Sequence, residues 1–433
     1  MSVRVIHLEG SAAGRLIIVG DIHGCAEQLR QLLLKAQFTN SAVRRCPELL
    51  KTSPEARTTL DATAFMQIPH ALQPTSSLLN HRPMQTSSPS ESPGGRSAGD
   101  VDSPASTRQR SHTGPGVDCD QPVHSRDEDV CVFVGDLVNK GPDSYGVVRT
   151  LREIGAVGVV GNHDVAMLRL VDKLRTGAPL TPKESESSLL PLAESCPDDV
   201  YAFLSSVPHI LCFHAYGLIV VHAGIDPSIP LERQAIESAI RMRNWMSVGK
   251  YHAQPLDAET GGLPHIALSL SEQFATLERP VLGKSWGKEW SKLACKLDGG
   301  RGAVVRPAVV AKKSRETLVD GDDDAGSKSS EDGSEHAVAT RRDVEGPATT
   351  TITVAQPGKE KKEKWRKHIS AMYKGYTIVF GHDAKRRLQI HPYAYGIDTG
   401  CVYGGELTGL VWPDTLLSVP GINNLPPNHK SKV

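Results

Sequence analysis

The chain has 433 residues, of which 39% are hydrophobic and 23% charged, enough for a packed core in one large domain or two ordinary ones. Its 49 lysines and arginines balance 49 aspartates and glutamates, which excludes the overall positive field of a general nucleic-acid or membrane-surface binder. No stretch reaches the roughly 18 apolar residues of a membrane span, and the first residues lack the apolar block of a signal peptide. The eight cysteines form no C-x-x-C pair, so we expect a reduced, cytoplasmic protein without a membrane partner.

Five short aliphatic runs, each ending in a turn with Gly or His, are predicted to be buried strands. In chain order they are residues 15–21 (RLIIVGD), 130–136 (VCVFVGD), 156–164 (AVGVVGNHD), 217–224 (GLIVVHAG) and 376–383 (YTIVFGHD). Leucines at helical spacing follow the first run, as expected for a helix packed on a sheet. The repeated order of strand, loop and helix predicts an α/β fold with functional groups at the carboxyl ends of the strands.

Two segments lack this pattern. Residues 41–128 are rich in Ser, Pro and Gly, and residues 298–364 contain long runs of charged and small residues. Neither segment has the apolar surface that would offset the conformational entropy of an ordered chain. We therefore predict one catalytic domain over residues 1–433, with disordered insertions at 41–128 and 298–364.

The ends of all five predicted strands carry side chains that can bind a metal: Asp21, His23, Asp136, Asn162, His163, His222 and His382. A single Asp after a strand is more often a helix cap, and a single His is more often an ordinary hydrogen-bonded residue. Capping does not explain why all five loops carry ligand-type residues, or why four of them carry His. Carboxylate and imidazole together suit borderline divalent ions, so the whole set predicts a metal-dependent active site.

In this order, the motifs GDIHG, GDLVNKGP, GNHD, HAG and GHD resemble those of the calcineurin-like metallophosphoesterases, in their phosphoprotein-phosphatase branch. The segments GDLVNKGPDS, RMRNW, SWGKEW, FGHDAKRRLQ and GIDTGCVYGGELTGL are similar to the ApaH-like phosphatases, relatives of bacterial diadenosine tetraphosphate hydrolases. The resemblance covers the core and neither insertion. It implies a metallophosphatase β-sandwich flanked by helices, in α-β-β-α layers.

The resemblance also implies a role for each site residue. The implied ligands of a first ion are Asp21, His23 and Asp136, and those of a second ion are Asp136, Asn162, His222 and His382. His163 would be the catalytic general acid toward the leaving oxygen. The cofactors would be two divalent ions, manganese first, with zinc, iron, cobalt or magnesium as alternatives. Two such ions make a bridging hydroxide available near neutral pH and stabilise the charge that develops during in-line attack.

One motif departs from the protein phosphatases, whose pattern is GD-x-x-D-R-G. Here Asn139 and Lys140 stand at the Asp and Arg positions. Asn cannot stabilise an imidazolium by charge, and Lys offers a point charge where Arg would offer a planar fork. The pair therefore favours hydrolysis of nucleotides or polyphosphate. Lys140, Arg241 and Arg243 are the predicted phosphate contacts.

We expect a hydrolase of phosphoanhydride or phosphomonoester bonds. The candidate substrates are a bis-nucleoside polyphosphate, inorganic polyphosphate and a nucleotide-capped RNA end, and no general nucleic-acid binding is expected. Dephosphorylation of serine or threonine in proteins is the alternative. A non-catalytic scaffold acting through the insertions is a third hypothesis, against which the intact ligand set argues.

Overall fold

The computed structural model describes residues 2–12, 14–51, 66–69, 72, 128–255, 263, 266–279, 283–299, 308–309 and 372–422. The first strands in chain order are β1 (Val5–Leu8), β2 (Leu16–Val19), β3 (Val130–Phe133), β4 (Val157–Gly158), β5 (Ile210–Phe213) and β6 (Leu218–Val221). They are followed by β7 (Asn244–Ser247), β8 (Ser269–Leu270), β9 (Phe274–Leu277), β10 (Lys284–Ser285) and β11 (Ala308–Val309). The last are β12 (Thr377–Phe380), β13 (Gln389–His391), β14 (Ala394–Gly396), β15 (Glu406–Val411) and β16 (Thr415–Pro420).

Ten α-helices lie in the described part of the chain. The first five are α1 (Ala26–Lys35), α2 (Ser41–Arg45), α3 (Ser144–Glu153), α4 (Asn162–Thr176) and α5 (Pro182–Ser185). The others are α6 (Leu190–Glu194), α7 (Asp198–Ser206), α8 (Ile236–Arg241), α9 (Val248–His252) and α10 (Trp286–Leu297). Short 3₁₀ helices span Pro47–Leu50, His214–Tyr216 and Leu231–Arg233. Among these described helices, none has the length and apolar character to cross a membrane.

The strands form two six-stranded sheets and a small third sheet. The first sheet has the order β11-β16-β15-β2-β3-β4, and the second has the order β1-β5-β6-β12-β14-β13. The third sheet has the order β10-β7-β9-β8. In the first sheet β2 and β3 are parallel, and in the second β6 and β12 are parallel. The carboxyl ends of each parallel pair therefore lie at one edge of their sheet.

Both faces of the first sheet are buried, because the side chains of a strand alternate between its two faces. In β2, Ile17 and Val19 pack with the helices α1, α3, α4 and α7. Leu16 and Ile18 pack on the other face, in a cluster that includes residues of the second sheet such as Val220. This alternation explains why β2 has a continuous apolar sequence.

The second sheet is covered in the same way. In β6, Leu218 lies in the cluster between the sheets, whereas Ile219 packs on the outer face with Trp286 and Trp290 of α10. The order of layers is thus helix, sheet, sheet, helix. The expected α-β-β-α sandwich is confirmed.

The range 41–128, predicted as a disordered insertion, begins with folded residues. Residues 41–45 form α2, and the side chain of Asn40 caps it by accepting the backbone N–H of Val43 at 3.0 Å. Leu49 and Leu50 in the next 3₁₀ helix are each only 3% exposed and pack against the α1 side of the first sheet. In the sequence, the adjacent leucines Leu49 and Leu50 could have indicated that this segment is folded. Most of 52–127 and most of 298–364 lie outside the described residues, so the division of the chain stays a prediction.

A buried histidine at the start of the second sheet predicts a loss of stability in acid. His209 is 8% exposed, and its Nδ1 accepts the backbone N–H of Arg4 at 3.0 Å. Burial lowers the pKa of His209 from its ordinary 6.5 to about 4, with smaller contributions from the positive charges of Arg4 and Arg169. The unfolded chain therefore takes up this proton at a higher pH than the folded chain. His209 stabilises the fold fully above pH 6.5, and this contribution is lost as the pH falls toward 4.

The loss amounts to at most about 3 kcal/mol of unfolding free energy. We expect His209→Gln to flatten the dependence of unfolding free energy on pH between these values, as measured by urea unfolding. The exposed His252→Gln is the matched control and should keep the wild-type slope. Equal slopes in all three proteins would contradict the prediction.

Candidate metal centre

Four strands end in buried side chains that can bind a metal: Asp21 after β2, Asp136 after β3, His222 after β6 and His382 after β12. Each is no more than 7% exposed. The first two follow parallel neighbours of one sheet, and the last two follow parallel neighbours of the other. His222 Nε2 lies 3.5 Å from Asp136 Oδ1, so the two sheet edges meet at this point.

The carboxylate of Asp136 lies at the centre of the site. Its Oδ2 is 3.4 Å from His23 Nε2, and its Oδ1 is 3.5 Å from His222 Nε2. The ligand atoms of His23, Asp136 and His163 lie within 4.8 Å of one another, and so do those of Asp136, His222 and His382. The two groups share one carboxylate, which is the arrangement that two bridged divalent ions require.

The hydrogen bonds of His222 test whether a cation fits the second group. Nδ1 of His222 lies 2.8 Å from the backbone oxygen of Val134, so in the neutral ring it carries the hydrogen and donates it. The lone pair on Nε2 then faces Oδ1 of Asn162 at 3.2 Å and Oδ1 of Asp136 at 3.5 Å. No hydrogen lies between Nε2 and these two oxygens, although Asp136 Oδ1 also accepts the backbone N–H of His163 at 2.9 Å, and a cation stabilises such an arrangement. The donor set therefore fits a divalent ion.

A backbone oxygen also orients the ring of His23. Its Nδ1 lies 3.2 Å from the backbone oxygen of Val138, and its Nε2 faces Asp136 and, at 2.8 Å, the ammonium of Lys140. Burial lowers the pKa of His23 to about 3, against the opposing effect of the Asp136 charge. The imidazole is therefore neutral at physiological pH, as a metal ligand must be.

Asp21 contacts the site through the loop of His382. Its two carboxylate oxygens accept the backbone N–H of His382 at 3.1 and 3.3 Å. Burial, followed by the negative charges of Asp398 and Asp136, raises the pKa of Asp21 well above its ordinary value. A bound cation would offset both effects. Asp21 is not part of either close group of ligand atoms, whereas His163, for which the resemblance implied the role of general acid, belongs to the first.

The ring of His163 lies edge-on to that of His23, with 4.9 Å between the ring centres. Asn139 Oδ1 accepts the backbone N–H of Lys140 at 2.8 Å, so the amide nitrogen of Asn139 faces His163 Nδ1 at 2.9 Å. Asn139 therefore donates to Nδ1, and the hydrogen of the neutral ring lies on Nε2. Burial lowers the pKa of His163 to about 4.

Five non-glycine residues of the site have a left-handed backbone, with φ between 46° and 74°: His23, Asp136, Asn139, Lys140 and His382. Such conformations cost on the order of 1–3 kcal/mol each and persist where surrounding contacts hold them. Two glycines permit the close packing of these loops. A Cβ on Gly161 would lie 2.1 Å from Asp136 Oδ1, and one on Gly381 would lie 1.9 Å from Asp21 Oδ1.

Asp164 joins two of the loops, although the sequence did not assign it to the site. Its Oδ1 accepts the backbone N–H groups of Leu137 and Val138 at 2.9 and 3.2 Å, and its Oδ2 accepts that of Gly161 at 2.9 Å. Its side chain is fully buried, and burial, with the charge of Asp136, raises its pKa to about 7. In the sequence, Asp164 could have been assigned to the site because it is the last residue of the GNHD motif.

Two of the predicted phosphate contacts have carboxylate or backbone partners. The guanidinium of Arg241 lies 3.0 Å from Glu237 and 3.4 Å from Glu278, while its backbone oxygen lies 3.1 Å from Nε2 of His382. Arg243 donates from Nη2 to the backbone oxygen of His382 at 3.0 Å. Lys140 and Arg243 thus lie directly beside predicted metal ligands, whereas the side chain of Arg241 pairs with two glutamates.

Comparison with known proteins finds relatives of this chain. Residues 120–268 match the model of the calcineurin-like phosphoesterase family. The symmetrical bis(5'-nucleosyl)-tetraphosphatase of Salmonella paratyphi C is 28% identical over 292 residues, which are 66% of this chain and 83% of that protein. The enzyme of the same name from Nitrosococcus oceani is 26% identical over 286 residues, 64% of this chain and 81% of its own.

A crystal structure provisionally described as a diadenosine tetraphosphatase is 25% identical, with a TM-score of 0.48, and the match covers 97% of this chain and 99% of that one. The matched family segment contains Asp136, Asn162, His163 and His222, and the tetraphosphatase relatives extend the similarity over about two thirds of the chain. Residues 120–268 therefore carry a calcineurin-like phosphoesterase domain, and the chain is a hydrolase.

Proposed function

We propose that the chain hydrolyses the phosphoanhydride bonds of a bis(5'-nucleosyl) polyphosphate at a two-metal centre. The observation that carries this proposal is the carboxylate of Asp136, which two groups of ligand atoms share. The substrate class follows from the relatives, which are named as symmetrical bis(5'-nucleosyl)-tetraphosphatases. Inorganic polyphosphate and a nucleotide-capped RNA end contain the same type of bond and are the next candidates.

The ligands that we assign to the first ion are Asp21, His23 and Asp136, and those of the second are Asp136, Asn162, His222 and His382. Manganese is the expected metal, and the nitrogen and oxygen donors also suit zinc, iron, cobalt or magnesium. When bound, the ions supply Lewis-acid activation of the phosphate and of the attacking water. The protein keeps the ligand loops in place through Asp164.

The contact between Asn139 and His163 favours a phosphoanhydride over a phosphoserine. Asn139 donates a hydrogen bond to Nδ1 of His163, and this bond opposes a positive charge on the ring. A serine or threonine alkoxide leaves only with strong assistance from an acid, whereas a nucleotide phosphate leaves with little. A neutral His163 ring is only a weak acid, and it is therefore adequate for a nucleotide leaving group.

Positive charge beside the ligands would hold the rest of the polyphosphate chain. Lys140 lies next to His23, and Arg243 lies next to His382, so a phosphate at the metals would meet both. Arg241, which pairs with Glu237 and Glu278, would have to exchange a carboxylate for a phosphate.

A panel of substrates tests the proposal. The purified chain is supplied with Mn²⁺ or with a chelator and offered diadenosine tetraphosphate, long-chain polyphosphate, capped RNA and a phosphoserine peptide. We expect diadenosine tetraphosphate to be cleaved only with the metal. Efficient hydrolysis of the phosphopeptide alone would replace our proposal by a protein phosphatase, and full activity with the chelator would rule out the metal centre.

Gly381→Ala is expected to impair the site through steric contact. The new Cβ would lie 1.9 Å from Oδ1 of Asp21, so that Asp21 and the neighbouring His382 must move. A displacement of about 1 Å costs roughly 10²-fold in turnover. Gly249→Ala is the matched control, because a Cβ there meets nothing within 4 Å. Wild-type kcat in Gly381→Ala would show that the loop tolerates the shift.

A further inference from the structure

We propose that His7, Cys212 and His214, with Glu232 beside them, form a second and separate metal site that binds one Zn²⁺ ion. The cluster lies at the opposite edge of the second sheet from the two-metal centre. Phe213, the last residue of β5, pairs with Leu218, the first residue of β6, whereas His222 follows the last residue of β6. A metal in this cluster would therefore have no direct contact with the reacting phosphate.

The register of two strands brings the three ligands together. β1 and β5 are parallel neighbours, and His7 pairs directly with Cys212. His214 is the first residue of the 3₁₀ helix that directly follows β5, two positions after Cys212. One ligand atom from each of the three residues lies within 4.8 Å of the others. Because the first ligand and the other two are about 205 positions apart, spacing along the chain does not disclose this site.

The distances are close to those of a tetrahedral zinc site. His7 Nδ1 lies 2.9 Å from His214 Nε2, and Cys212 Sγ lies 3.9 Å from the other ring nitrogen of His214, Nδ1. Ligands of tetrahedral zinc are separated by about 3.3 Å for two nitrogens and about 3.6 Å for nitrogen and sulfur. One ion takes only one nitrogen of His214, so binding requires a rotation of the imidazole rings. Both histidines are about one-third exposed, so their rings can rotate.

The surrounding groups complete and orient such a site. Glu232 Oε1 lies 2.9 Å from His7 Nε2, and Glu9 Oε1 lies 3.6 Å from His214 Nε2. Either carboxylate can supply a fourth ligand or hold a ring nitrogen. The hydroxyl of Tyr376 lies 2.7 Å from His214 Nδ1 and fixes that ring from the other side.

The ligand types select the metal. Two imidazoles and one thiol favour zinc over magnesium, calcium or manganese, which prefer oxygen ligands. Burial raises the pKa of the Cys212 thiol to about 11, so the bound ion would have to displace the thiol proton, as zinc does in its cysteine sites. A bound ion would join β1, β5 and the 3₁₀ helix Leu231–Arg233, and would thereby stabilise the first strand of the chain against the second sheet.

Cobalt spectroscopy on the full chain tests this site independently of hydrolysis. Co²⁺ bound by a thiolate gives a charge-transfer absorption in the near ultraviolet, whereas the predicted ligands of the two-metal centre contain no sulfur. We expect this absorption in the wild type, in Asp136→Asn and in the matched control Cys196→Ser, and its loss in Cys212→Ser. Failure of the proposed hydrolysis would leave this result unchanged. Absence of the band from the wild type, or its persistence in Cys212→Ser, would overturn the proposal.

Cys212 is buried, so a substitution there can disturb the fold, and a second variant tests the site without that complication. His7→Gln changes a partly exposed side chain and is expected to keep the wild-type circular dichroism without metal. Competition with a zinc-binding dye should show Zn²⁺ affinity at this site weakened at least roughly tenfold in His7→Gln. The rise in Tm that Zn²⁺ gives to Asp136→Asn should also disappear when His7→Gln is added. Unchanged affinity and an unchanged rise in Tm would reject the site.

Discussion

Asp136→Asn is expected to lower metal-dependent hydrolysis by at least roughly 10³-fold while the protein stays folded. The substitution keeps the shape of the side chain and removes the only negative charge that both groups of ligand atoms share. An amide still offers one oxygen but cannot neutralise two cations. Its amide nitrogen is a donor and would face Nε2 of His23 or His222, the atoms through which these rings would bind the ions.

The test measures kcat on diadenosine tetraphosphate or para-nitrophenyl phosphate across a Mn²⁺ titration, with metal content and circular dichroism as further readouts. Asp198→Asn is the matched control, because Asp198 is exposed and paired with Arg175 away from the site. It should retain wild-type activity. Substantial turnover by Asp136→Asn at saturating metal would mean that the shared carboxylate is not required.

His163→Gln is expected to reduce kcat by about 10² to 10⁴-fold if His163 is the general acid. Glutamine retains a polar group but cannot transfer a proton near neutral pH. The loss should depend on the leaving group. It should be large for phenyl phosphate, whose leaving oxygen needs a proton, and smaller for para-nitrophenyl phosphate, whose leaving oxygen needs little assistance.

The exposed His252→Gln is the control for a change of histidine to glutamine and should leave both rates unaltered. His163 also lies in the first group of ligand atoms, so metal content must be measured in the variant. Equal losses on the two substrates, together with lost metal, would assign His163 to metal binding. Equal losses with full metal content would assign it to positioning.

The fold was largely predictable because the patterns that produce it are local. A continuous apolar sequence such as that of β2 indicates a strand buried on both faces, and the helical spacing of leucines in α1 indicates a helix on one of them. The third predicted strand was less accurate. Within 156–164 the strand is only Val157–Gly158, because α4 already begins at Asn162.

The candidate site was predictable in its residue types and less so in its contacts. Motifs at strand ends pointed to the residues around Asp136, but the hydrogen bonds of Asp164 depend on loops from two different strands. The same is true of the ion pairs of Arg241 with Glu237 and Glu278. Such partners are set by the packing of separate elements, which short motifs do not encode.

By itself, the sequence determined the α/β pattern, the presence of metal-ligand side chains at the ends of strands, and the unusual Asn139–Lys140 pair. These are properties of short segments, since strand periodicity, turn glycines and residue type are all local. The tertiary structure alone decided that Asp136 stands between two groups of ligands, that Asn139 donates to His163, and that His7 meets Cys212 and His214. The reason is that these contacts join residues from different strands or sheets, whose distances follow from strand register and sheet packing rather than from sequence spacing.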